Sequence, residues 1–167
     1  MAESEIIDVV NEQDEVIGRA DKDGIHHKRL LHRAVHIWII NSSGKLFCRQ
    51  RSSKKQIYPG YYSTSVGAHV ISGQTYNQTA KQSLQKDLGI NCKLEMIGKA
   101  RVHDQWENEI SVTYIGYSDD TFNLNPKQIE DGKFLTVKEI KELTKQKNVT
   151  PHLAHSLELY LRFSAKQ

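Results

Sequence analysis

The pattern of apolar and polar positions divides the chain into short strand-like runs and three helix-like ones. Ile6 to Val10 and Val16 to Ala20 have the β-branched composition of short strands. The polar stretch Asn11, Glu12, Gln13, Asp14 between them predicts a hairpin. Asp21 to Arg29 is polar, contains His26 and His27, and reads as a loop. Leu30 to Ile40, LLHRAVHIWII, predicts a long strand, and the turn sequence Asn41-Ser42-Ser43-Gly44 leads to a partner strand over Lys45 to Arg51. Pro59-Gly60 interrupts the following loop.

Tyr76, Ala80, Leu84 and Leu88 recur at helical spacing and predict an amphipathic helix over Tyr76 to Leu88. Thr75 and Gln78 fit a capping box at its start, and Gly89 suits a left-handed cap at its end. Strands are expected at Leu94 to Val102, Ile110 to Tyr117 and Lys133 to Leu135. A second helix should follow Thr136, capped with Glu139. A third should begin at Thr150-Pro151 and present Leu153, Leu157, Tyr160 and Leu161 on one face. Strands outnumber helices, and hairpins outnumber strand–helix–strand units. The expected fold is therefore an α/β (α+β) arrangement, a mixed sheet flanked by helices.

Composition adds limits. A chain of 167 residues can bury one core without disulfides or structural metal, and no repeat or linker divides it, so a single domain over residues 1–167 is expected. Lys and Arg number 23 against 20 Asp and Glu, and the basic residues are scattered, which argues against a nucleic-acid partner. No apolar run reaches the length of a membrane helix, and Met1 to Val10 lacks the basic and apolar regions of a signal peptide. A cytoplasmic location without a membrane partner is expected. Cys48 and Cys92 form no Cys-x-x-Cys pair and read as small core thiols. Monomer and homodimer are both compatible with the sequence.

Glu107 and Glu109 stand two apart in a strand-like run, so their carboxylates share a face. Such a pair repels unless a cation lies between them or one is protonated. His32 and His36 share a face of their own strand. His36 alternates with Trp38 and reads as a packed or hydrogen-bonded histidine. His103, His152 and His155 read as surface residues.

Gly67 to Ile90 reads GAHVISGQTYNQTAKQSLQKDLGI. Its spacing resembles the Nudix box, G-x5-E-x7-R-E-U-x-E-E-x-G-U, where U is a bulky aliphatic residue. Ala68 stands at the first glycine, Gln74 at the first glutamate, Gln82 and Ser83 at the Arg-Glu pair, and Lys86 and Asp87 at the Glu-Glu pair. Leu84, Gly89 and Ile90 keep their types. Most of the usual carboxylates are thus replaced, and of those on the helix only Asp87 remains. LLHRA (Leu30 to Ala34), RSSKKQIYPGYYSTSVGAH (Arg51 to His69) and WENEI (Trp106 to Ile110) resemble, in order and spacing, segments of the isopentenyl-diphosphate-isomerase-like branch of the Nudix superfamily.

The resemblance implies metal-dependent chemistry on a small-molecule diphosphate, with Mg2+ or Mn2+ as cofactor. It implies metal ligands at His32, His69, Asp87, Glu107 and Glu109, with His26 or His27 as a possible further ligand. It implies diphosphate contacts from Arg51 and Lys55, and catalytic carboxylates among Glu107, Glu109 and Glu130. Type I isomerases of this branch carry a catalytic cysteine where this chain has Gly67. The resemblance therefore ranks a hydrolase of a small organic or nucleoside diphosphate first. An isomerase lacking its cysteine and a non-catalytic diphosphate-binding module are the alternatives.

Overall fold

The computed structural model describes residues 4–167, so the first three residues of the N-terminal segment lie outside it. β1 (Ile6–Val10) and β2 (Val16–Asp21) form the expected antiparallel hairpin, with a bulge between Val9 and Val10. Asn11 Oδ1 holds the turn by accepting from the backbone N–H groups of Gln13 and Glu15, both at 3.0 Å. A short helix, α1 (Lys22–His27), occupies part of the segment expected to be a loop. Asp21 caps it by accepting from Gly24 N at 2.7 Å, and Ile25 anchors it in the core. So short a helix shows no period, and its internal glycine disfavours helix, which is why composition concealed it.

β3 (His32–Ile40) is the centre of the sheet. β8 (Asn108–Tyr117) runs parallel to it along its full length, from His32 opposite Glu109 to Ile40 opposite Tyr117. The other edge of β3 is shared in turn by β1, by β6 (Val66–His69) and by β4 (Leu46–Arg51). β7 (Leu94–His103) flanks β8, while β5 (Tyr62–Ser63) and β9 (Ile129–Leu135) flank β4, all antiparallel. The sheet is mixed, as expected. β9 starts at Ile129 rather than at Lys133, because pairing with β4 recruits a polar stretch of low strand propensity.

Val35, Ile37 and Ile39 of β3 pack with Ala80, Leu84 and Leu88 of α2 (Tyr76–Leu88). Trp38 and Ile40 point to the opposite layer and pack with Ile140 of α3 (Val137–Leu143) and with Leu153 and Leu157 of α4 (Pro151–Ser164). A strand covered on both faces reads as a near-continuous apolar run, which is the pattern of this segment. Leu84 and Leu88 are almost wholly buried, and each contributes about 1.5–3 kcal/mol by leaving water. Both predicted capping boxes are present, Thr75 with Gln78 and Thr136 with Glu139, and Gly89 closes α2 at φ 69°. Thr150 caps α4 ahead of Pro151. Cys48 is buried, Cys92 is partly buried, and both are free thiols. No helix among the described residues is long and apolar enough to cross a membrane.

Candidate metal centre

Strand register assembles this site. Parallel pairing sets His32 directly opposite Glu109, and antiparallel pairing sets His69 opposite Ala34. Glu107, just before β8, is held beside Glu109 by the Asp104 turn, where its N–H donates to Asp104 Oδ1. One donor atom from each of His32, His69, Glu107 and Glu109 lies within 4.8 Å of the others. His26, carried in by α1, brings its ring centroid to 5.2 Å from that of His69 and its Nδ1 to 3.9 Å from Glu107 Oε2. His27, its neighbour, is exposed.

The hydrogen bonds of this cluster leave several of its buried polar atoms without a partner. His32 Nδ1 lies 2.9 Å from the Leu30 carbonyl, which can only accept, so Nδ1 carries a proton and Nε2 is the atom turned to the cluster. A hydrogen bond from the far ring nitrogen to a carbonyl orients a metal-binding imidazole. His32 Nε2, Glu107 Oε2 and His26 Nδ1 are all buried with no hydrogen-bond partner. Burial and the neighbouring Glu109 push the Glu107 carboxyl up to about 9. Burial also opposes ionisation of Glu109, but His152 and His36 outweigh it and hold that carboxyl well below its ordinary range. Burial, aided by His32, pushes His69 well below its ordinary range, so it offers a neutral ring. Two carboxyl groups and two imidazoles with unpartnered polar atoms between them fit a divalent cation such as magnesium or manganese.

His152 is buried in the first turn of α4, not on the surface as its sequence context indicated. Its Nε2 lies 2.7 Å from Glu109 Oε1, and its ring stacks on His36 at 4.5 Å. His36 Nδ1 lies 2.9 Å from Thr64 Oγ1, whose own proton goes to the Val66 carbonyl. His36 is therefore packed and hydrogen-bonded, as read from the sequence. His103 and His155 are exposed, also as read.

A cavity of about 360 Å³ opens beside the cluster. Arg49, Arg51, Lys55 and Lys86 line it together with His69, Glu107 and Glu109. Arg51 donates to the carbonyls of Ile57 at 2.8 Å and Tyr58 at 3.2 Å, so it also braces the loop above the cavity. Lys55 donates to Gln128 Oε1 at 2.7 Å, and burial together with Lys22 pushes its ammonium down to about 8. The same loop is latched on its far side. Tyr58, in the left-handed region at φ 52°, donates its hydroxyl to Asp104, whose other oxygen accepts from Glu107 N at 2.7 Å.

Two expected residues fall elsewhere. Asp87 lines the cavity from α2 but is not in the His32, His69, Glu107, Glu109 cluster. It accepts from Asn125 Nδ2 at 3.2 Å, and burial raises its carboxyl even though Arg49 opposes the shift. Glu130 is exposed on β9 and is not among the residues that line the cavity. Arg49, buried in the cavity wall, was not singled out from the sequence. It shares a face of β4 with Phe47, a core residue, and that parity is the signal that could have found it.

Residues 30–158 match the NUDIX domain family. The chain belongs to the Nudix family. It is 36% identical over 95 residues to an uncharacterised Nudix hydrolase of Nostoc, a match spanning 56% of either chain. An uncharacterised Nudix hydrolase of Pseudomonas aeruginosa is 26% identical over 96% of this chain and 95% of its own. An isopentenyl-diphosphate delta-isomerase of Pectobacterium atrosepticum is 28% identical over 86% of this chain and 81% of its own. Solved structures share the Nudix fold. A Deinococcus radiodurans protein superposes with a TM-score of 0.79 at 24% identity, over 92% of this chain and 98% of that one. The Nudix domain of a Shewanella oneidensis protein, solved with ADP-ribose, gives 0.63 at 15% identity, over 80% of this chain and 88% of that one. Nudix enzymes act on small-molecule diphosphates and generally use divalent metals, and the carboxylate–imidazole cluster of this chain is of a kind that suits such an ion.

Proposed function

We propose that this Nudix chain is a metal-dependent hydrolase of a small organic or nucleoside diphosphate. The observation that carries the reading is the placement, around one cavity, of an unsatisfied carboxylate–imidazole cluster and a wall of cationic side chains. Magnesium or manganese, held by His32, His69, Glu107 and Glu109, would neutralise phosphoryl oxygens and make bound water more acidic. Arg51, at the end of β4, and Lys55, on the loop latched by Tyr58, face the diphosphate charge. Glu107 presents one unpartnered oxygen, aimed by the Asp104 turn, and takes the proton of the attacking water. Glu109, 2.7 Å from His152 and 3.6 Å from both His32 and His36, serves as a further ligand.

The hydrolase is favoured over an isomerase by Gly67. A Cβ at this position would lie 2.8 Å from His36 Cε1 and 2.7 Å from Arg49 Nη2, so the neighbours occupy the volume a catalytic side chain would need. Moving a proton on and off an alkene needs two groups, and one of them is absent here. The Pseudomonas relative named as a Nudix hydrolase and the ADP-ribose bound to the Shewanella domain support a diphosphate ester as substrate class. We place the activity in one domain and in the cytoplasm, in keeping with two unpaired thiols.

Phosphorus NMR tests this with the purified chain, magnesium or manganese, and a panel of isopentenyl diphosphate, nucleoside di- and triphosphates and nucleotide sugars. Cleavage of a diphosphate bond that stops on chelation, and that is lost in Glu109→Ala, is the expected result. Dimethylallyl product in the isopentenyl sample would instead establish the isomerase. Binding without turnover of any compound would leave only a binding module.

A further inference from the structure

Arg49 is the anomaly of the cavity wall. It is 1% exposed, lines the cavity, and its Nε has no hydrogen-bond partner. Arg51 and Lys55 donate to oxygen atoms of the protein, whereas Arg49 forms no ion pair among the described residues. Asp87 is the acidic group that acts on it, from beyond ion-pair distance. A guanidinium carries five N–H donors, and burying it unpaired is strongly unfavourable. A protein core has no use for such a group, but a binding site does.

The position of the guanidinium is built for. An ideal Cβ on Gly67 would come within 2.7 Å of Arg49 Nη2, so the edge of the fork lies directly over the Gly67 backbone. Any other residue at 67 would push it away. Glycine therefore lets the fork lie beside His36 in the depth of the cavity, further in than Lys54, which is exposed.

We propose that Arg49 is an anion subsite that receives a further phosphoryl group of the substrate, so that the chain selects diphosphate esters carrying a third phosphoryl group. This rests on the diphosphate reading above and names the substrate class within it. The planar fork meets two oxygens of a phosphoryl group at once, which a lysine ammonium cannot do. An apolar substrate tail at the same place would leave the guanidinium buried and unpaired. A site built to hydrogen-bond a group rejects analogues that lack it.

The test uses imidodiphosphate and its three-phosphorus homologue diimidotriphosphate, whose P–N–P bridges resist hydrolysis. Both are titrated with magnesium into the full chain, read by the fluorescence of Trp106, which lies beside Glu107 and is half exposed. The three-phosphorus compound should bind more tightly by about tenfold or more, the scale of one charge-assisted bidentate contact. Arg49→Met should bring the ratio of the two affinities close to one, and the unliganded variant should melt no lower than the parent. Gly67→Ala should lower the ratio in the same direction by displacing the fork, with Arg49 retained. A parent ratio near one, a ratio preserved in both variants, or a lower melting temperature for Arg49→Met would overturn the proposal. The ratio does not depend on turnover, so failure of the hydrolase reading would show separately, as uncleaved substrates in the NMR panel.

Discussion

Loading the Glu107–Glu109 pair with a cation should release a proton. In the metal-free protein Glu107 is pushed up to about 9 by burial and by Glu109, so near pH 7 it carries its proton while Glu109 stays ionised. A cation binds the carboxylate form, so Glu107 must ionise as the ion enters. Mn2+ binding near pH 7 is therefore expected to release about one proton, and the apparent affinity should rise about tenfold per pH unit up to about pH 9. The effect on the metal-free fold has the opposite sign. The folded pKa lies above the ordinary 4.5, so the native state holds an extra proton between the two values, and metal-free stability falls as pH rises through that window. At free metal about 100 times Kd the gain is about 2.7 kcal/mol. A chain of this size gains about 2–4 °C per kcal/mol, so the melting temperature should rise by about 5–11 °C. Calorimetric titration in two buffers of different ionisation enthalpy counts the protons, and thermal scans with and without chelator measure the shift. Tight binding without proton release, or an affinity that is flat between about pH 6 and about pH 8, would refute the reasoning. Glu107→Gln should bind more weakly and release no proton.

Three further outcomes are expected. Leu84→Ala should cost about 2–5 kcal/mol, because a fully packed side chain between α2 and β3 leaves a void; urea unfolding followed by circular dichroism measures it. Asp14 accepts from Arg33 at 2.7 Å, Lys99 at 2.8 Å and Tyr76 at 2.9 Å; burial opposes its ionisation, but these bonds outweigh it and lower its carboxyl. Its contribution should be present above the ordinary pKa of 3.8 and disappear as pH falls through the folded value, and acid unfolding of Asp14→Ala should lack that component. Tyr58→Phe removes the hydroxyl that latches the cavity loop to Asp104. One lost hydrogen bond is worth about 1 kcal/mol, so amide exchange in residues 53–61 should quicken about fivefold; unchanged exchange would mean the latch does not hold the loop.

The helices were legible where capping chemistry and period agreed. Thr75, Gln78 and Gly89 bounded α2 correctly because local hydrogen bonds fix those positions. α1 escaped because so short a helix has no period to read and draws its stability from burying Ile25. The cluster of His32, His69, Glu107 and Glu109 was legible through the resemblance, although Glu107 precedes β8 and is placed by the Asp104 turn rather than by the strand's period of two. The rest of the site depends on contacts between elements far apart in sequence. His152 looked like a surface residue because the stripe of α4 was drawn through Leu153, Leu157 and Tyr160; the helix in fact also buries His152 and Ser156 alongside it. Arg49 drew no reading from the sequence, because its burial depends on partner strands and on α2, far from it along the chain. Asp87 and Glu130 took their expected roles from analogy with other chains, and here one contacts Asn125 while the other faces solvent.

The parallel ladder between β3 and β8 also has a consequence in time. His32 and Glu109 lie directly opposite each other yet are more than seventy residues apart along the chain, and His152 arrives from α4 later still. Parallel pairings over such separations form late, because a long loop must close before any contact rewards it. During synthesis the histidines of β3 and β6 emerge well before the carboxylates that complete their site. A nascent or truncated chain therefore has imidazoles but no pocket, and the four-residue cluster exists only in the finished fold.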